Sequence, residues 1–196
     1  MYGYVKVGSA VPKLRVADCV YNKEEILKLV EAAAAKQVRV LSFPELSVTG
    51  YTCADLFFQT PLLHAAEQAI QEIAEATKAL NIFLLIGAPI AVDNQMFNCA
   101  VALYKGKLLG IVPKTHIPNY SEFYEERWFA SADDLLTEEI TYAGQNVPIG
   151  ADLIFAAADF PALKIGVEIC EDLWVPIPPS SYLSLYGATL LLNLSA

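Results

Sequence analysis

Three apolar runs of strand length each end at a side chain capable of acid–base chemistry. The run in VLSFPE ends at Glu45, the run in LLGIVPK at Lys114 and the run in LKIGVEIC at Cys170. Runs of Val, Ile and Leu bounded by loop-forming residues predict buried strands. Because the ends of central strands can meet at one cleft in layered α/β proteins, we expect these side chains to lie together. A thiol, a carboxylate and an ammonium in one cleft predict a thiol-dependent hydrolase acting on a carbonyl or nitrile carbon.

The composition predicts one globular domain over residues 1–196. Hydrophobic residues make up 55% of the chain and charged residues 18%, which argues against disorder.

The net charge of −9 and the lack of a basic cluster disfavour nucleic acid as a partner. No apolar run reaches the roughly 18 residues that a membrane span needs, and the first residues do not resemble a signal peptide. We therefore expect a cytoplasmic protein that has no membrane partner.

The other cysteines are predicted to be structural. Cys19, Cys53 and Cys99 lie in separate, mostly apolar surroundings without CxxC spacing. This pattern favours small buried hydrophobic side chains over a disulfide framework or structural zinc. The sequence also contains no metal-spaced His/Glu cluster and no phosphate-binding glycine motif, so we expect no metal site.

Periodicity predicts strands that alternate with two long helices. Asn22 and Glu25 resemble a capping pair at the start of the first helix. The residues Lys105 to Lys107 read as a hairpin turn. The segment from 114 to about 150 is loop-rich, and a structured loop of that length usually covers a site. Strands are predicted over 4–11, 38–43, 82–90, 96–104, 107–113, 153–160, 163–170 and 189–196, and helices over 24–37, over 62–80 and from about residue 179.

The last predicted strand, TLLLNLSA, ends the chain inside a pattern typical of burial. Natural termini seldom stop there, because the structure that would cover the strand is then missing. We therefore expect the chain to be part of a larger domain.

Taken alone, the reactive residues have other interpretations. Cys170 is as compatible with a buried structural thiol as with a nucleophile, Glu45 is compatible with a helix-capping acid, and Lys114 with a surface lysine. His116 offers a rival mechanism, since an extended loop would point it the same way as Lys114 and permit a Cys–His dyad. His64 falls on a predicted helix and is expected to be structural.

Four stretches centred on these residues resemble a known family. They are YVKVGSAVPKLRVADCVYN, PELSVTGYTCADLF, PKTHIPNYSEFYEERWF and GVEICEDLWVPIPPS, in this order. Together they resemble the nitrilase, or carbon–nitrogen hydrolase, superfamily, and within it the amino-terminal glutaminase domain of glutamine-dependent NAD synthetases. The resemblance implies an α/β (α+β) fold, a four-layer α-β-β-α sandwich incomplete at its C-terminus, and a homo-oligomer formed through helices.

The resemblance also implies roles for individual residues. Cys170 would be the nucleophile, Glu45 the general base and Lys114 the oxyanion stabiliser, with Glu125 orienting the lysine and the base. Glu126 is the alternative to Glu125, although a solvated charge is the simpler interpretation. The residues implied in substrate binding or in lining the site are Tyr120, Glu171, Trp174 and Tyr51.

The activity implied is hydrolysis of L-glutamine to glutamate and ammonia through a thioester, without a cofactor. ATP with Mg and deamido-NAD are implied only for a synthetase domain, whose SGGxDS-type loop this sequence lacks. Family residues that hold the substrate α-carboxylate would lie beyond Ala196, so we expect residues 1–196 to show weak or no turnover. The alternatives are a stand-alone amidase acting on another small amide and a catalytically silent oligomerisation fragment.

Overall fold

A computed structural model describes residues 3–196. These residues contain three helices: α1 (Cys19–Ala35), α2 (Thr60–Thr77) and α3 (Pro179–Leu185). The strands are β1 (Val7–Ser9), β2 (Val40–Ser42), β3 (Phe83–Val92), β4 (Gln95–Tyr104), β5 (Lys107–Pro113), β6 (Glu139–Tyr142), β7 (Gln145–Pro148), β8 (Ile154–Ala156), β9 (Lys164–Ile169) and β10 (Leu190–Leu194). Short 3-10 turns lie at Ala54–Phe58, Glu125–Arg127, Ala132–Asp134 and Cys170–Trp174.

The larger sheet has five strands in the order β1-β2-β3-β4-β5. Strands β1, β2 and β3 are parallel, whereas β3, β4 and β5 form two successive hairpins. Both hairpin turns use residues with positive φ, namely Asp93 and Asn94 in the first and Lys105 and Gly106 in the second. Two such residues in succession give the turn that matches the twist of paired strands. The predicted hairpin at Lys105 is confirmed; the sequence pattern did not predict the one at Asp93.

The smaller sheet has the order β10-β9-β8 and packs face to face with the larger one. Because side chains alternate along a strand, Ile165, Val167 and Ile169 of β9 lie in the core between the sheets. On the other face of β9, a side chain at Gly166 would contact Leu183 of α3. Helices α1 and α2 cover the outer face of the larger sheet. The order of layers is therefore α-β-β-α, and the predicted mixed α/β class is confirmed.

Several element boundaries differ from the sequence prediction. Helix α1 begins earlier, and its N-cap is Asp18, whose carboxylate accepts the backbone N–H of Tyr21. Asn22 is instead buried within the helix, where its amide binds the backbone of Arg15 and Val48, so the capping pair was wrong. The segment 114–150 is not all loop, because β6 and β7 form a hairpin there.

Other local predictions hold. Cys19, Cys53 and Cys99 are free, buried thiols, as expected for small core residues. The β8–β9 antiparallel pair, the helix beginning at Pro179 and the strand near the end of the chain are all present. His64 lies on α2. No helix within residues 3–196 is long and apolar enough to cross a bilayer.

Candidate active site

The three reactive residues predicted from the sequence each follow the end of a strand. Glu45 lies three residues after β2, Lys114 directly after β5 and Cys170 directly after β9. The Lys114 Nζ atom lies 2.8 Å from Glu45 Oε1, and both side chains act electrostatically on the Cys170 thiol. The larger sheet thus supplies the acid and the amine, and the smaller sheet supplies the thiol.

A close approach between two backbones positions Glu45. The chain after β2 continues along β3, with Phe43 N–H donating to Leu85 O at 2.9 Å and Val48 N–H donating to Gly87 O at 3.1 Å. Leu46 adopts a φ of +51° as the chain turns. A Cβ atom at Gly87 would lie 2.3 Å from Leu46 N and 2.6 Å from Pro44 O. Only glycine at position 87 lets the Glu45 turn pack directly on β3.

The two carboxylate oxygens of Glu45 have different environments. Oε1 accepts a hydrogen bond from Asn98 Nδ2 at 2.6 Å and another from Lys114 Nζ at 2.8 Å. Oε2 is buried and has no hydrogen-bond partner among residues 3–196. Burial raises the pKa of Glu45 above its ordinary value, although the adjacent Lys114 opposes this. Oε2 therefore has the basicity and the free lone pairs needed to take a proton.

Lys114 is completely buried between two carboxylates. Its Nζ atom donates to Glu45 Oε1 and to both oxygens of Glu125, at 3.1 and 2.8 Å. Burial alone would lower the lysine pKa, but the two carboxylates outweigh it and hold the pKa above its ordinary value. The ammonium is therefore charged and fixed in direction, in a place where electrostatic interactions are strong.

Glu125 connects the lysine to a second segment of the chain. It begins a 3-10 turn, is buried, and accepts a hydrogen bond from the Tyr51 hydroxyl at 2.6 Å. Burial and this carboxylate raise the pKa of Tyr51, which stays neutral and donates. The neighbouring Glu126 is exposed and accepts a hydrogen bond from Asn119 at 2.8 Å. Glu125, not Glu126, is in contact with the lysine.

Cys170 lies at a sharp change of backbone direction. It is partly exposed, has a φ of +45° and opens the 3-10 turn Cys170–Trp174 immediately after β9. Non-glycine residues seldom adopt this conformation, which occurs often at functional sites. Burial and the nearby Glu45 raise the pKa of the thiol to about 11, whereas Lys114 lowers it. The resting thiol is therefore protonated at neutral pH, and a base is needed to activate it.

Two further residues hold this cluster and were missed by sequence reasoning. Asn98 points from β4 to Glu45, and its only signal was a polar residue within the apolar run MFNCAVALY. Asp172 is 1% exposed and accepts backbone N–H groups from the turn that follows β5 and from Ile169, the last residue of β9. The sequence marks this turn as acidic, but only Glu171 was singled out there.

A cleft of about 1150 Å³ lies beside the reactive cluster. Thr115 and Glu171, which follow Lys114 and Cys170 in the chain, line it together with His116, Tyr120 and apolar side chains, whereas Glu45, Lys114 and Cys170 do not line it. The Tyr120 hydroxyl donates to both oxygens of Glu171, at 2.8 and 2.9 Å. This pair can bind a polar ligand from the cleft side.

Trp174 is 75% exposed and does not line this cleft. The His116 backbone N–H donates to Asp172, and no hydrogen bond within the described range joins its ring to Cys170. No group of three or more His, Cys, Asp or Glu side chains that could hold a metal ion occurs in residues 3–196.

Comparison with known proteins gives consistent results. The profile of the carbon-nitrogen hydrolase family matches residues 6–196. The glutamine-dependent NAD(+) synthetase of Mycobacterium leprae is 40% identical over 193 residues, which are 98% of this chain and 28% of that protein. The corresponding enzyme of Aquifex aeolicus is 30% identical over 181 residues, 92% of this chain and 28% of that protein. The chain therefore spans about 28% of the length of these relatives.

Solved structures show the same architecture. A glutamine-dependent NAD(+) synthetase from Cytophaga hutchinsonii superposes with a TM-score of 0.84 at 30% identity, covering 98% of this chain and 30% of that one. An amidase from Nesterenkonia sp. AN1 gives a TM-score of 0.75 at 16% identity, covering 100% of this chain and 66% of that one. The second likeness bears on the fold alone.

Proposed function

Because the chain belongs to the carbon-nitrogen hydrolase family, we propose that it is a glutamine amidohydrolase domain that releases ammonia from the side-chain amide of L-glutamine. It is homologous to the glutaminase domain of glutamine-dependent NAD synthetases. The observation that carries the proposal is the arrangement of Glu45, Lys114 and Cys170. Within residues 3–196, Glu45 Oε2 has no hydrogen-bond partner, and this basic oxygen and the fixed ammonium of Lys114 both lie beside the protonated thiol at a sharp turn.

In the first half of the proposed reaction, Glu45 Oε2 takes the thiol proton as the Cys170 sulfur attacks the amide carbon. The resulting oxyanion is stabilised by Lys114 and by the backbone N–H of Glu171, the residue after the nucleophile. Donors fixed in a water-poor site do not need to reorganise during the reaction, and losing one costs about 3–4 kcal/mol of barrier. Glu45, now protonated, donates its proton to the departing nitrogen, and ammonia leaves a thioester on Cys170.

In the second half, Glu45 is again a free base and activates a water molecule that attacks the thioester. Glutamate leaves, and the thiol recovers its proton. Glu125 does not exchange protons in this scheme: together with the Tyr51 hydroxyl it keeps Lys114 charged and oriented. The steps require no cofactor.

For the substrate, we assign Tyr120 and Glu171 to recognition of the glutamine backbone. A carboxylate such as Glu171 suits the α-ammonium group, and the Tyr120 hydroxyl fixes its direction. Tyr51, which donates to Glu125, is assigned to the wall of the site, whereas the exposed Trp174 lies outside the cleft and is not. The ammonia would serve a synthetase domain that uses ATP with Mg to amidate deamido-NAD, within a cytoplasmic homo-oligomer.

The proposal is tested with a diazoketone analogue of glutamine, followed by peptide mass spectrometry. We expect one adduct, on Cys170, whose formation is slowed by free glutamine but not by propionamide. Protection by propionamide alone would favour an amidase acting on small aliphatic amides. Cys19, Cys53 and Cys99 serve as internal controls, since they are buried thiols of the same chain.

Two variants separate the proposed base from the rival dyad. Glu45→Gln should abolish most of the labelling at neutral pH, whereas His116→Ala should retain it. The reverse result would replace the Glu45 mechanism with a Cys–His dyad. An adduct on any other cysteine would refute the assignment of the nucleophile.

A further inference from the structure

Asp172 joins the two turns that carry the thiol and the ammonium. Its Oδ1 accepts the backbone N–H groups of Thr115 at 3.1 Å and His116 at 2.7 Å, and its Oδ2 accepts that of Ile169 at 2.9 Å. Thr115 directly follows Lys114, and Ile169 directly precedes Cys170. One buried carboxylate is therefore bound to the backbone on either side of the reactive cluster.

The hydrogen bonds of Asp172 also connect the two sheets. The Cys170 turn belongs to the smaller sheet and the Lys114 turn to the larger one. Lys114 is also held by other contacts: its N–H donates to Asn98 O at 2.8 Å, and its carbonyl accepts the Ala132 N–H at 2.9 Å. The Cys170 carbonyl accepts a 3.3 Å hydrogen bond from Asn193 Nδ2 of β10.

We propose that Asp172 is a positioning residue, which ties the Cys170 turn to the Lys114 turn and thereby sets the separation between the thiol and Glu45. The three N–H groups approach the Asp172 carboxylate from two segments of the chain, so their hydrogen bonds oppose movement of one segment relative to the other. Charge-assisted hydrogen bonds of this kind are stronger than neutral ones. The inference rests on the proposed function only in taking Cys170 as the reactive group. It adds a residue that never touches the substrate.

The competing explanation is a purely electrostatic effect. Asp172 is a negative charge two residues from the thiol, and it has Lys114 and His116 as charged or titratable neighbours. The thiol itself faces Glu45, Lys114 and the Ser195 hydroxyl. Removing the charge of Asp172 would lower the thiol pKa without moving anything. A variant that keeps the charge but misplaces it separates the two explanations.

The experiment measures the rate of Cys170 alkylation by iodoacetamide between pH 7 and 10, using the whole chain and peptide mass spectrometry. Asp172→Asn removes the charge, and Asp172→Glu keeps it one methylene further along the side chain. If Asp172 positions the turn, both variants release the thiol from Glu45 and from its buried site. Alkylation at pH 8 should then rise about tenfold or more in both, because a fall of one pKa unit gives about ten times more thiolate.

A double-mutant cycle with Glu45→Gln supplies the second readout. In the parent chain, losing the Glu45 charge should lower the thiol pKa, because that charge raises it. Iodoacetamide reacts with the free thiolate and needs no general base, so this variant should be alkylated faster although the base-dependent diazoketone reaction is slowed. In either Asp172 variant, the same change should have little effect, because the thiol has already moved away. Asp134→Asn, at an exposed aspartate beside the same cleft, should match the parent throughout.

Several results would overturn the proposal. An alkylation rate in Asp172→Glu equal to that of the parent would show that only the charge of Asp172 matters. The same conclusion would follow if Glu45→Gln lowered the thiol pKa in Asp172→Asn as much as it does in the parent. Simultaneous labelling of Cys19, Cys53 and Cys99 would show that the variants open the whole fold, and failure of both variants to fold would have the same meaning. Iodoacetamide reacts with the thiol without binding in a glutamine pocket. If the alkylation results contradict the role of Asp172, the glutamine proposal therefore still stands. If the diazoketone test fails, the alkylation rates can still be interpreted.

Discussion

Replacing Lys114 with methionine should produce a chain whose stability depends strongly on pH. In the parent, the ammonium lies between the carboxylates of Glu45 and Glu125, and all three side chains are at most 2% exposed. Methionine fills a similar volume but leaves two buried carboxylates facing each other. Removing one partner from a buried ion pair typically costs about 3–5 kcal/mol, and here two carboxylates lose the same cation. We therefore expect a loss in that range at pH 8.

The pH dependence follows from the pKa of the Glu45 carboxyl group. The pKa of Glu45 is raised by burial even with the lysine present, and losing the lysine raises it further. A carboxyl whose pKa is higher in the folded than in the unfolded chain binds protons more readily when folded. Stability then falls as pH rises from the unfolded value of about 4.5 through the folded value. The deficit of the variant should be largest at pH 8 and should shrink toward pH 5.

Urea denaturation followed by circular dichroism at pH 5, 6, 7 and 8 measures this dependence. With an m-value of about 2 kcal/mol/M, the midpoint at pH 8 should fall by roughly 1.5–2.5 M. Lys28→Met is the matched control, since Lys28 is exposed and pairs with Glu25 within α1. Its urea midpoint should equal that of the parent. A Lys114→Met chain with the parental midpoint at pH 8, or with a deficit that does not change with pH, would refute the electrostatic account of the cluster.

Three further predictions concern the neighbouring residues. Glu45→Gln should lower the rate at which the diazoketone labels Cys170 by about 10²–10⁴-fold, while the melting temperature stays close to that of the parent because Lys114 keeps its contact with Glu125. A smaller loss would exclude Glu45 as the base. Gly87→Ala should lower the melting temperature clearly more than Gly8→Ala. The new Cβ at position 87 would lie 2.3 Å from a backbone atom, whereas at position 8 the nearest atom belongs to the flexible Leu41 side chain, at 3.3 Å. Equal melting temperatures in the two variants would contradict the close approach at Gly87. Tyr120→Phe should weaken protection of Cys170 by glutamine against the diazoketone without changing the uncompeted labelling rate, and unchanged protection would remove Tyr120 from the recognition site.

The positions of Glu45, Lys114 and Cys170 at strand ends could be predicted because two signals coincide at each of them. An apolar run gives the strand, and a polar residue with reactive chemistry marks its end. The close contact of Lys114 with Glu45 followed from the expectation that such ends converge. The same pattern could not predict which carboxylate would pair with the lysine, since Glu125 and Glu126 are adjacent and only the backbone path decides which one is buried.

The residues that sequence reasoning missed act through long-range contacts. Asn98 binds a carboxylate 53 positions earlier, and Asp172 binds backbone groups 57 and 56 positions earlier. Neither pairing leaves a local periodic signal. Asn22 shows the opposite failure: its spacing to Glu25 fits a local capping pair, but its amide bonds reach Val48, and tertiary contacts decide its place. Backbone strain at Leu46 and Cys170 is equally invisible, because neither residue type favours positive φ.

The division of the cluster between two sheets makes its reactivity sensitive to distant core packing. The thickness of the layer between the sheets is set by small residues such as Ala100 and Ala102 on one side and by Val167 and Ile169 on the other. An added methyl group in that layer would strain the packing between the sheet that carries the sulfur and the sheet that carries the oxygen that must deprotonate it. Residues that never meet a substrate therefore act as spacers for the chemistry.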